Sequence, residues 1–319
     1  MPHQVAVVIP AYKVTASILE VIEGIGPEVH QIWVIDDACP EGSGNLVSAK
    51  AKDKRVKVLT HQENQGVGGA VITGYKAALA EGADVIVKVD GDGQMDTTLI
   101  SDLVEPILNG EADYVKGNRF ESIESVREMP FVRLMGNAGL TFMTKISTGY
   151  WDVADPTNGF TALSATVAKL INFDKLAKRY FFESDMLFRL NVAQAVVLDL
   201  PIAARYGSEK SNLSVVKSFL SFPFLHLKNF AKRIFYSYYL REMSVASFEL
   251  PIGLAMLVFG TWMGINGLAI SSGTHKSAST GTVMLAVLPL LLGIQLVLAF
   301  INFDINSTPR RVRTKKHSK

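Results

Sequence analysis

Three carboxylates and two glycines follow a β-branched run within residues 84–96, which have the sequence DVIVKVDGDGQMD. The valine- and isoleucine-rich run predicts a strand, and Gly91 and Gly93 predict a tight turn that ends it. Asp90 and Asp92 lie two residues apart, so their oxygens can converge at the strand end, where like charges usually need a cation. Hard carboxylate oxygens favour Mg²⁺ or Mn²⁺. A solvated Asp-Gly turn without a ligand is the alternative.

The first 120 residues alternate short apolar runs with helical patterns, which predicts the frame that positions these carboxylates. The apolar runs are VAVVIP, QIWVIDD, VKVLT, DVIVKVD and DYVKG, and the helical patterns lie near residues 16–25, 45–52, 69–80 and 99–109. This order predicts a parallel α/β sheet, in which ligands bind beyond the carboxyl ends of the strands. PAYK follows the first strand, Asp36 and Asp37 end the second, and Asp90 and Asp92 end a later one. All of them should share one rim.

Composition limits the classes of partner. The chain of 319 residues has a formal net charge of +2, which gives no indication of nucleic acid, and we expect no nucleic-acid partner. Cys39 is the single cysteine, so an internal disulfide framework is excluded, and no Cys or His cluster has zinc spacing. A reducing compartment is the simplest interpretation. The amino terminus lacks a basic segment followed by a long apolar one, so we expect no cleavable secretory signal.

Two long stretches near the carboxyl end, 250–270 and 282–303, contain no formally charged residue. Each is long enough to cross a hydrocarbon core as a helix of roughly 20 residues, and their short connection predicts a hairpin. Two buried core helices are the alternative. Basic residues gather on the cytoplasmic side, and RRVRTKKHSK follows the hairpin. We therefore expect an integral membrane protein with two spans whose catalytic portion and tail are cytoplasmic. The tail either contacts anionic headgroups or is simply solvated.

Aromatic and basic residues are unusually dense between residues 214 and 243. This composition favours the headgroup boundary, so we predict one or two interfacial helices, divided by Pro223, before the hairpin. A packing face of a soluble domain is the alternative. The expected organisation is a catalytic domain at 1–213, amphipathic juxtamembrane helices at 214–249, two transmembrane helices at 250–304 and a basic tail at 305–319.

Several short motifs occur in order along the chain: VVIPAYK, VIDDACPEGS, NQGVGGAVITGYKAAL, VKVDGDGQMD, KGNRF, DPTNGFTALS and YGSEKSNLS. Each is weak alone, but together with the apolar hairpin they resemble a family 2 glycosyltransferase with the GT-A fold. More narrowly, the chain is similar to polyprenyl-phosphate glycosyltransferases, the group that contains dolichyl-phosphate mannose synthase and bacterial undecaprenyl-phosphate glucosyltransferases. The resemblance covers residues 5 to about 213. It implies a GT-A catalytic domain that is Rossmann-like with a mainly parallel sheet.

The resemblance also implies a donor site on the strand ends. It assigns a divalent cation, Mg²⁺ or Mn²⁺, to Asp90, Asp92 and Gln94. The nucleotide of a nucleotide-diphospho-sugar is expected to contact Pro10, Tyr12, Asp37, Asp90 and Gly91. Related chains often have Asn-Glu where this one has Lys13 and Val14, which leaves the base open. The glycine-rich NQGVGGA could cradle phosphate, but it lacks the Lys-Ser/Thr of a P-loop, and we interpret it mainly as loop-to-helix packing.

On the acceptor side, the resemblance assigns Arg119 and Arg133 to the phosphate of a polyprenyl lipid. That phosphate is already an anionic nucleophile at neutral pH, so no general base is strictly required. The expected catalytic set is therefore Asp92, Arg119, Arg133 and Asp155. Lys88, in the strand that precedes the carboxylates, receives no role.

Further polar residues have less specific roles. Asp155, Glu183 and Asp185 are expected to position sugar hydroxyls or to brace arginines, with direct catalysis as the alternative. Arg205 and Lys210 either meet the diphosphate when their loop closes or are ordinary loop charges.

Together these features predict inverting, metal-dependent transfer of a hexose to a polyprenyl phosphate at the cytoplasmic membrane face. UDP-glucose is the favoured donor and GDP-mannose the next, and the hairpin makes a homo-oligomer the expected state. Two alternatives stay open: transfer to a sugar hydroxyl, as in polysaccharide synthesis, and a non-catalytic nucleotide-sugar-binding membrane scaffold. The first often uses a Gln-x-x-Arg-Trp pattern, which this sequence lacks. The intact carboxylates and arginines argue against the second.

Overall fold

The computed structural model describes residues 3–120, 131–202, 215–274 and 277–313, with side chains described except at 131–134, 137, 215–220 and 274. The chain divides into two compact units. Unit 1 comprises Met1–Phe230 and Pro309–Lys319, and unit 2 comprises Ala231–Thr308. The chain therefore leaves unit 1 once and returns to it.

Unit 1 contains a mixed sheet, which has seven strands in the described part of the chain. The strands are β1 (Val5–Ala11), β2 (Gln31–Asp36), β3 (Val56–Thr60), β4 (Val85–Lys88), β5 (Tyr114–Asn118), β6 (Thr161–Ser164) and β7 (Val197–Pro201). Their order across the sheet is β3-β2-β1-β4-β6-β5-β7. Strand β6 runs antiparallel to both of its neighbours, and the other pairs are parallel. The prediction of a mainly parallel GT-A sheet is confirmed, and β6 corrects the simpler expectation of a purely parallel one.

The helices of unit 1 connect these strands. They are α1 (Ile18–Glu23), α2 (Ser43–Lys50), α3 (Val67–Ala80), α4 (Ile100–Leu108), α5 (Phe131–Thr148), α6 (Ala165–Ala168), α7 (Phe182–Val192) and the greater part of α8 (Val215–Phe235). The four helical patterns of the first 120 residues correspond to α1–α4. Strand β6 was not expected, because its four residues lie within a turn-rich passage and show no alternating pattern of their own.

Alternation along the strands fills a core on each face of the sheet. Ala6 and Val8 of β1 contribute to one core, which also contains the inner faces of α3 and α7. Val7 and Ile9 contribute to the other core, which contains the inner faces of α1 and α4. In α4 the buried apolar residues follow helical spacing, at Ile100, Leu103, Val104 and Ile107. The carboxyl ends of the parallel strands are therefore held by two packed layers.

Helix α8 continues through Pro223, so the prediction that this proline divides the segment is wrong. A proline inside a helix removes one backbone hydrogen bond and usually costs stability. Aromatic contacts within unit 1 stabilise the part of the helix around Pro223. Phe222 packs edge-on against Phe181, and the His226 ring lies 4.9 Å from the same phenylalanine ring.

Unit 2 contains α9 (Ala246–Thr274) and α10 (Thr280–Asn306), preceded by a π-helical turn at Tyr236–Arg241. Among the described residues, these are the two helices long and apolar enough to cross a membrane, with mean hydropathies of 1.6 and 2.6. Close approach of the pair depends on glycine, because a Cβ at Gly293 would lie 2.9 Å from the carbonyl oxygen of Gly253. The predicted hairpin of two apolar helices is confirmed.

The basic tail belongs to unit 1 from Pro309 onwards. The Arg313 amide lies 2.9 Å from both carboxylate oxygens of the fully buried Asp113, which also accepts a hydrogen bond from the Val196 amide. Asp113 therefore fixes the returning chain beside the start of β5.

Candidate active site

Most of the residues singled out in the sequence lie at one rim of the sheet. Strands β1, β2, β4 and β5 end there, and the antiparallel β6 begins there. Tyr12, Asp37, Asp90 and Arg119 follow the ends of β1, β2, β4 and β5 within two residues. Because β6 lies between β4 and β5, the turn that enters β6 separates the Asp90 turn from Arg119.

The DGD turn is held by contacts within its own segment and by Ser17, the residue before α1. The Asp90 amide donates to the Met95 sulfur at 3.2 Å, and the Gly91 carbonyl accepts a hydrogen bond of 2.7 Å from Ser17 Oγ. Asp92 Oδ1 accepts a hydrogen bond of 3.0 Å from the Gln94 amide. Gly93 has a φ of +79°, a left-handed conformation that glycine adopts without strain. The turn predicted from the glycines is therefore present, and it fixes the backbone between the two carboxylates.

Lys88 is the site residue that sequence analysis left without a role. Its Nζ lies 2.9 Å from Asp90 Oδ1 and 3.2 Å from Glu183 Oε1, and its side chain is 2% exposed. Burial alone would lower the pKa of Lys88, but the two carboxylates outweigh burial and raise the pKa above its ordinary value. The signal in the sequence for a role of Lys88 was its position inside a buried strand, because a buried charge needs partners.

A second buried lysine lies on the other side of β6. Lys88 and Lys116 are both paired with Thr161 in the sheet register, so the three side chains share one face. The Lys116 ammonium donates to the carbonyl oxygen of Asn158. Burial lowers the pKa of Lys116 to about 8, although the Asp155 carboxylate opposes the shift. The ammonium groups thus make different direct contacts: Lys88 contacts two carboxylates, and Lys116 donates to a backbone carbonyl.

Arg119 and Asp155 form a two-point ion pair. Arg119 Nε lies 2.7 Å from Asp155 Oδ2 and Nη2 lies 3.2 Å from Oδ1, while the Asp155 side chain has no exposed surface. Burial alone would raise the pKa of Asp155, but Arg119 and Lys116 lower it below the ordinary value. The expectation that Asp155 braces an arginine is in agreement with this geometry. The full burial of this carboxylate favours a role in positioning Arg119, and its place in the catalytic set stays a prediction.

The other basic residues predicted for phosphate binding lie outside the described side chains. Arg133 is in α5, whose first side chains are not described, and Arg205 and Lys210 fall in 203–214. Their roles stay predictions.

Asp37 holds the glycine-rich loop. Its Oδ1 and Oδ2 each accept a hydrogen bond of 2.8 Å, from the amides of Gln65 and Gly66, and His61 Nδ1 lies 2.7 Å from Oδ1. The Asp37 side chain is 3% exposed. The structure therefore assigns the carboxylate to positioning this loop, and its direct contact with a nucleoside stays a prediction.

The glycines of the same loop permit close packing, as expected. A Cβ at Gly66 would lie 2.7 Å from the Lys178 carbonyl oxygen, and one at Gly68 would lie 2.6 Å from the Ala177 carbonyl oxygen. The Gly69 amide donates to Lys178 O at 3.0 Å. The interpretation of NQGVGGA as loop-to-helix packing is in agreement with these contacts.

Tyr12 is available at the rim for stacking. Its side chain is exposed (40%), directly after β1, and the Lys13 ammonium lies 5.7 Å from its ring centroid. Lys13 itself has a φ of +59°, and its amide donates to Cys39 Sγ. Pro10 pairs with Ile35 inside the sheet. A base contact at Pro10 and Tyr12 stays a prediction that this exposure supports.

Glu183 and Asp185 point to different surroundings, because residues two apart on a helix face different sides. Glu183 meets Lys88 in the first turn of α7. Asp185 instead accepts hydrogen bonds from the Ala177 amide at 2.9 Å and from Asn229 Nδ2 of α8 at 3.0 Å. Its buried carboxylate thus joins α7 to α8. The expectation that Asp185 braces an arginine agrees with its ion pair to Arg189 at 3.3 Å, and a substrate contact stays a prediction.

The donor set of the DGD turn suits a hard cation. Asp90, Asp92 and Gln94 supply two carboxylates and an amide oxygen within one turn. Among the described residues, no group of three or more His, Cys, Asp or Glu side chains is arranged to hold a metal. Mg²⁺ and similar ions commonly take one or two protein carboxylates and complete their shell with phosphate oxygens and water. The residues therefore fit an ion that arrives with a diphosphate.

A mixed sheet with one antiparallel strand, an acidic turn at the carboxyl rim and the Arg119–Asp155 ion pair beside it are typical of a GT-A glycosyltransferase. A family model described as "Glycosyl transferase family 2" matches residues 6–171, just over half of the chain. The chain belongs to this family, as its motifs predicted.

Known relatives agree with the expected group. The UDP-N-acetylglucosamine–dolichyl-phosphate N-acetylglucosaminyltransferase of Methanococcus voltae is 30% identical over 213 residues, which cover 62% of this chain and 84% of the relative. The undecaprenyl-phosphate mannosyltransferase of Micrococcus luteus is 30% identical over 203 residues, covering 62% and 82%. The resemblance to polyprenyl-phosphate glycosyltransferases is therefore confirmed.

A solved structure supports the fold. Glucosyl-3-phosphoglycerate synthase from Mycobacterium tuberculosis, in complex with Mn²⁺, UDP and glucosyl-3-phosphoglycerate, aligns with a TM-score of 0.55. The alignment covers 72% of this chain and 80% of that chain, at 17% identity. At such identity the likeness shows the fold alone.

Proposed function

We propose that this protein transfers a hexose from a nucleotide-diphospho-sugar to a polyprenyl phosphate, with inversion at the anomeric carbon. UDP-glucose is the first donor to test and GDP-mannose the next. The observation that carries the proposal is the two-point Arg119–Asp155 pair at the end of β5, which β6 separates from the acidic turn at the end of β4. This spacing suits two phosphorylated reactants that meet across the start of β6.

The reaction needs one bond to form and one to break. An oxygen of the lipid phosphate attacks the anomeric carbon, and the bond from that carbon to the diphosphate oxygen breaks as its electron pair leaves with the nucleoside diphosphate. The attacking phosphate is largely anionic at neutral pH, so it needs orientation more than deprotonation. Attack from the face opposite the leaving group gives inversion.

The chain's own residues supply the orientation. Arg119, fixed by the buried Asp155 carboxylate, presents a planar donor to a phosphate oxygen. Asp90, Asp92 and Gln94 would hold Mg²⁺ or Mn²⁺, which neutralises the charge of the leaving diphosphate. Tyr12 offers an exposed ring for the base, and Asp37 keeps the neighbouring loop in place.

The membrane location follows from the acceptor. A long prenyl chain stays in the bilayer while its phosphate reaches the protein, and α9 and α10 are candidate spans. The chain belongs to unit 1 both before and after unit 2, which supports a return to the side that the chain left. With the basic residues at 310–319, we propose that this side is cytoplasmic.

The test is an assay of the detergent-solubilised full chain with undecaprenyl phosphate, Mn²⁺ and labelled UDP-glucose, UDP-N-acetylglucosamine or GDP-mannose. We expect label from one donor in an organic-phase lipid that mild acid releases. Label in a polymer would favour the hydroxyl-transfer alternative. No transfer from any donor, with intact binding of the nucleotide, would favour a scaffold.

A further inference from the structure

The buried ammonium of Lys88 contacts two carboxylates that come from distant parts of the chain. Asp90 follows β4 directly, whereas Glu183 lies 95 residues further along the chain from Lys88, in the first turn of α7. We propose that Lys88 is a positioning residue that locks Asp90 and Glu183 into one unit, so that the diphosphate end and the hexose end of the donor are oriented together. This inference rests on the proposed glycosyl transfer and adds a specificity element to it.

Burial explains why one lysine can control both acids. The side chains of Lys88, Asp90 and Glu183 are 2%, 30% and 13% exposed, so water screens their charges weakly. Without the ammonium, the two carboxylates would lose the cation that both of them contact, and one would have to turn away from the other. With it, both carboxylates contact one cation and keep a fixed orientation.

The backbone of the turn before β6 closes the space around the ammonium. A Cβ at Gly159 would overlap Lys88 Nζ and lie 2.8 Å from Asp90 Oδ2. The neighbouring Asn158 is itself fixed, because its carbonyl accepts from Lys116 and its side chain accepts a hydrogen bond of 3.0 Å from the Phe160 amide. Lys88 therefore cannot move aside into this turn, and Asp90 is held between the ammonium and the glycine.

Glu183 is the member of this unit that we expect to contact the donor sugar. Its Oε1 is bound to Lys88 and its side chain keeps some exposed surface. A charged carboxylate in that position accepts hydrogen bonds from hydroxyl groups, which are the polar groups that distinguish hexoses. The ligand class for this part of the site is therefore the hydroxyls of the donor hexose.

Lys116 provides the matched control. Both lysines are fully buried and both lie opposite Thr161, but the Lys116 ammonium donates to a backbone carbonyl. Substitution of either lysine by methionine removes a buried ammonium of the same length from the same face of the sheet. Only Lys88→Met removes the ammonium that contacts both Asp90 and Glu183.

The first experiment measures coupling in the full-length chain without ligand. Lys88→Met should lower the melting temperature by about 6 °C or more, because it removes the cation that both carboxylates contact. The double variant Lys88→Met/Glu183→Gln should melt at a higher temperature than Lys88→Met alone, since one of those charges is gone. The same second change in Lys116→Met should give little or no recovery. If the decreases in melting temperature of Lys88→Met and Glu183→Gln simply add in the double variant, the proposal that Lys88 couples the two acids is wrong.

The second experiment measures binding of two ligands. The nucleoside diphosphate carries only the diphosphate end of the donor, whereas the nucleotide sugar also carries the hexose. With Mn²⁺, Glu183→Gln should weaken binding of the preferred nucleotide sugar about tenfold and leave the matching nucleoside diphosphate unaffected. Lys88→Met should weaken both ligands, and Lys88→Arg should recover part of the loss. Gly159→Ala should resemble Lys88→Met, whereas Gly139→Ala, whose added Cβ has no neighbour within 4 Å, should resemble wild type.

The possible failures are distinct. If wild type binds none of the nucleotides, the proposed function fails, and the melting cycle alone decides whether Lys88 couples the two acids. If wild type binds its donor and Lys88→Met binds both ligands as wild type does, the positioning role is wrong while the proposed function stands.

Discussion

The Asp155 carboxylate accepts hydrogen bonds from both Nε and Nη2 of Arg119 and from the Arg119 amide, so it fixes this arginine at its backbone and at its guanidinium. The pair spans the end of β5 and the turn before β6. A guanidinium held along one edge has its orientation set before any ligand arrives, which reduces the entropy lost when a phosphate binds.

Substitution Asp155→Asn should therefore impair acceptor use more than donor binding. We expect the KM for polyprenyl phosphate to rise about tenfold or more, because the neutral amide cannot hold the guanidinium by a charged two-point contact. Thr157→Val is the matched control, since Thr157 Oγ1 lies 3.4 Å from Arg119 Nη2 and contributes a weaker contact. Steady-state rates with varied lipid check this. An unchanged lipid KM together with weaker donor binding would reassign the pair to the donor.

Asp92→Asn should nearly abolish metal-dependent turnover. Loss of a carboxylate at the proposed cation removes charge where the leaving diphosphate is neutralised, so kcat should fall about a hundredfold or more. Asp96→Asn is the control in the same segment, because Asp96 caps the following turn through the Thr98 amide. Initial rates across a Mn²⁺ series measure both variants. Near-normal turnover of Asp92→Asn would refute the assignment of the DGD turn.

Local sequence signals predicted much of the frame and the rim. The β-branched runs and helical patterns of the first 120 residues identify β1–β5 and α1–α4, because each element is long and periodic enough to be recognised alone. Parallel strands put their carboxyl ends at one edge, which is why Asp37, Asp90 and Arg119 could be expected at a common rim.

Long-range pairing could not be predicted in the same way. Lys88 acquires its role from Glu183 across 95 residues, and Asp155 from Arg119 across 36. No periodic pattern carries that information. Asp185 was grouped with Glu183 because they are neighbours in sequence, but the helical turn of α7 directs Asp185 to Asn229 of α8.

His226 should make unit 1 less stable in mild acid. Burial lowers its pKa from 6.5 to about 4, and its Nδ1 lies 2.7 Å from Ser147 Oγ. Between these two values the unfolded chain binds a proton that the folded chain excludes, so this contribution to stability is complete above pH 6.5 and decreases as the pH falls towards 4. Melting temperatures between pH 4.5 and 7.5, with roughly one point per half unit, measure the effect.

His226→Phe should remove this part of the acid sensitivity while keeping an aromatic ring against Phe181. His3→Gln, which replaces a side chain that is 40% exposed, should keep the wild-type dependence on pH. A parallel pH profile for wild type and His226→Phe would show that other groups cause the acid sensitivity.

Asp304 should be essential for the stability of unit 2. Arg233 Nη1 and Nη2 lie 2.6 and 3.0 Å from its two oxygens, Tyr238 donates to it at 2.6 Å, and both ion-pair side chains are only 3% exposed. Asp304→Asn leaves the guanidinium without a charged partner, so we expect a loss of about 3–5 kcal/mol in the free energy of unfolding. Tyr238→Phe should cost less, and Arg233→Met/Asp304→Leu should recover much of the loss, because replacing both ions by apolar groups removes the unpaired charge. Unfolding of detergent-solubilised variants measures these differences, and equal stability of Asp304→Asn and wild type would show that the pair is dispensable.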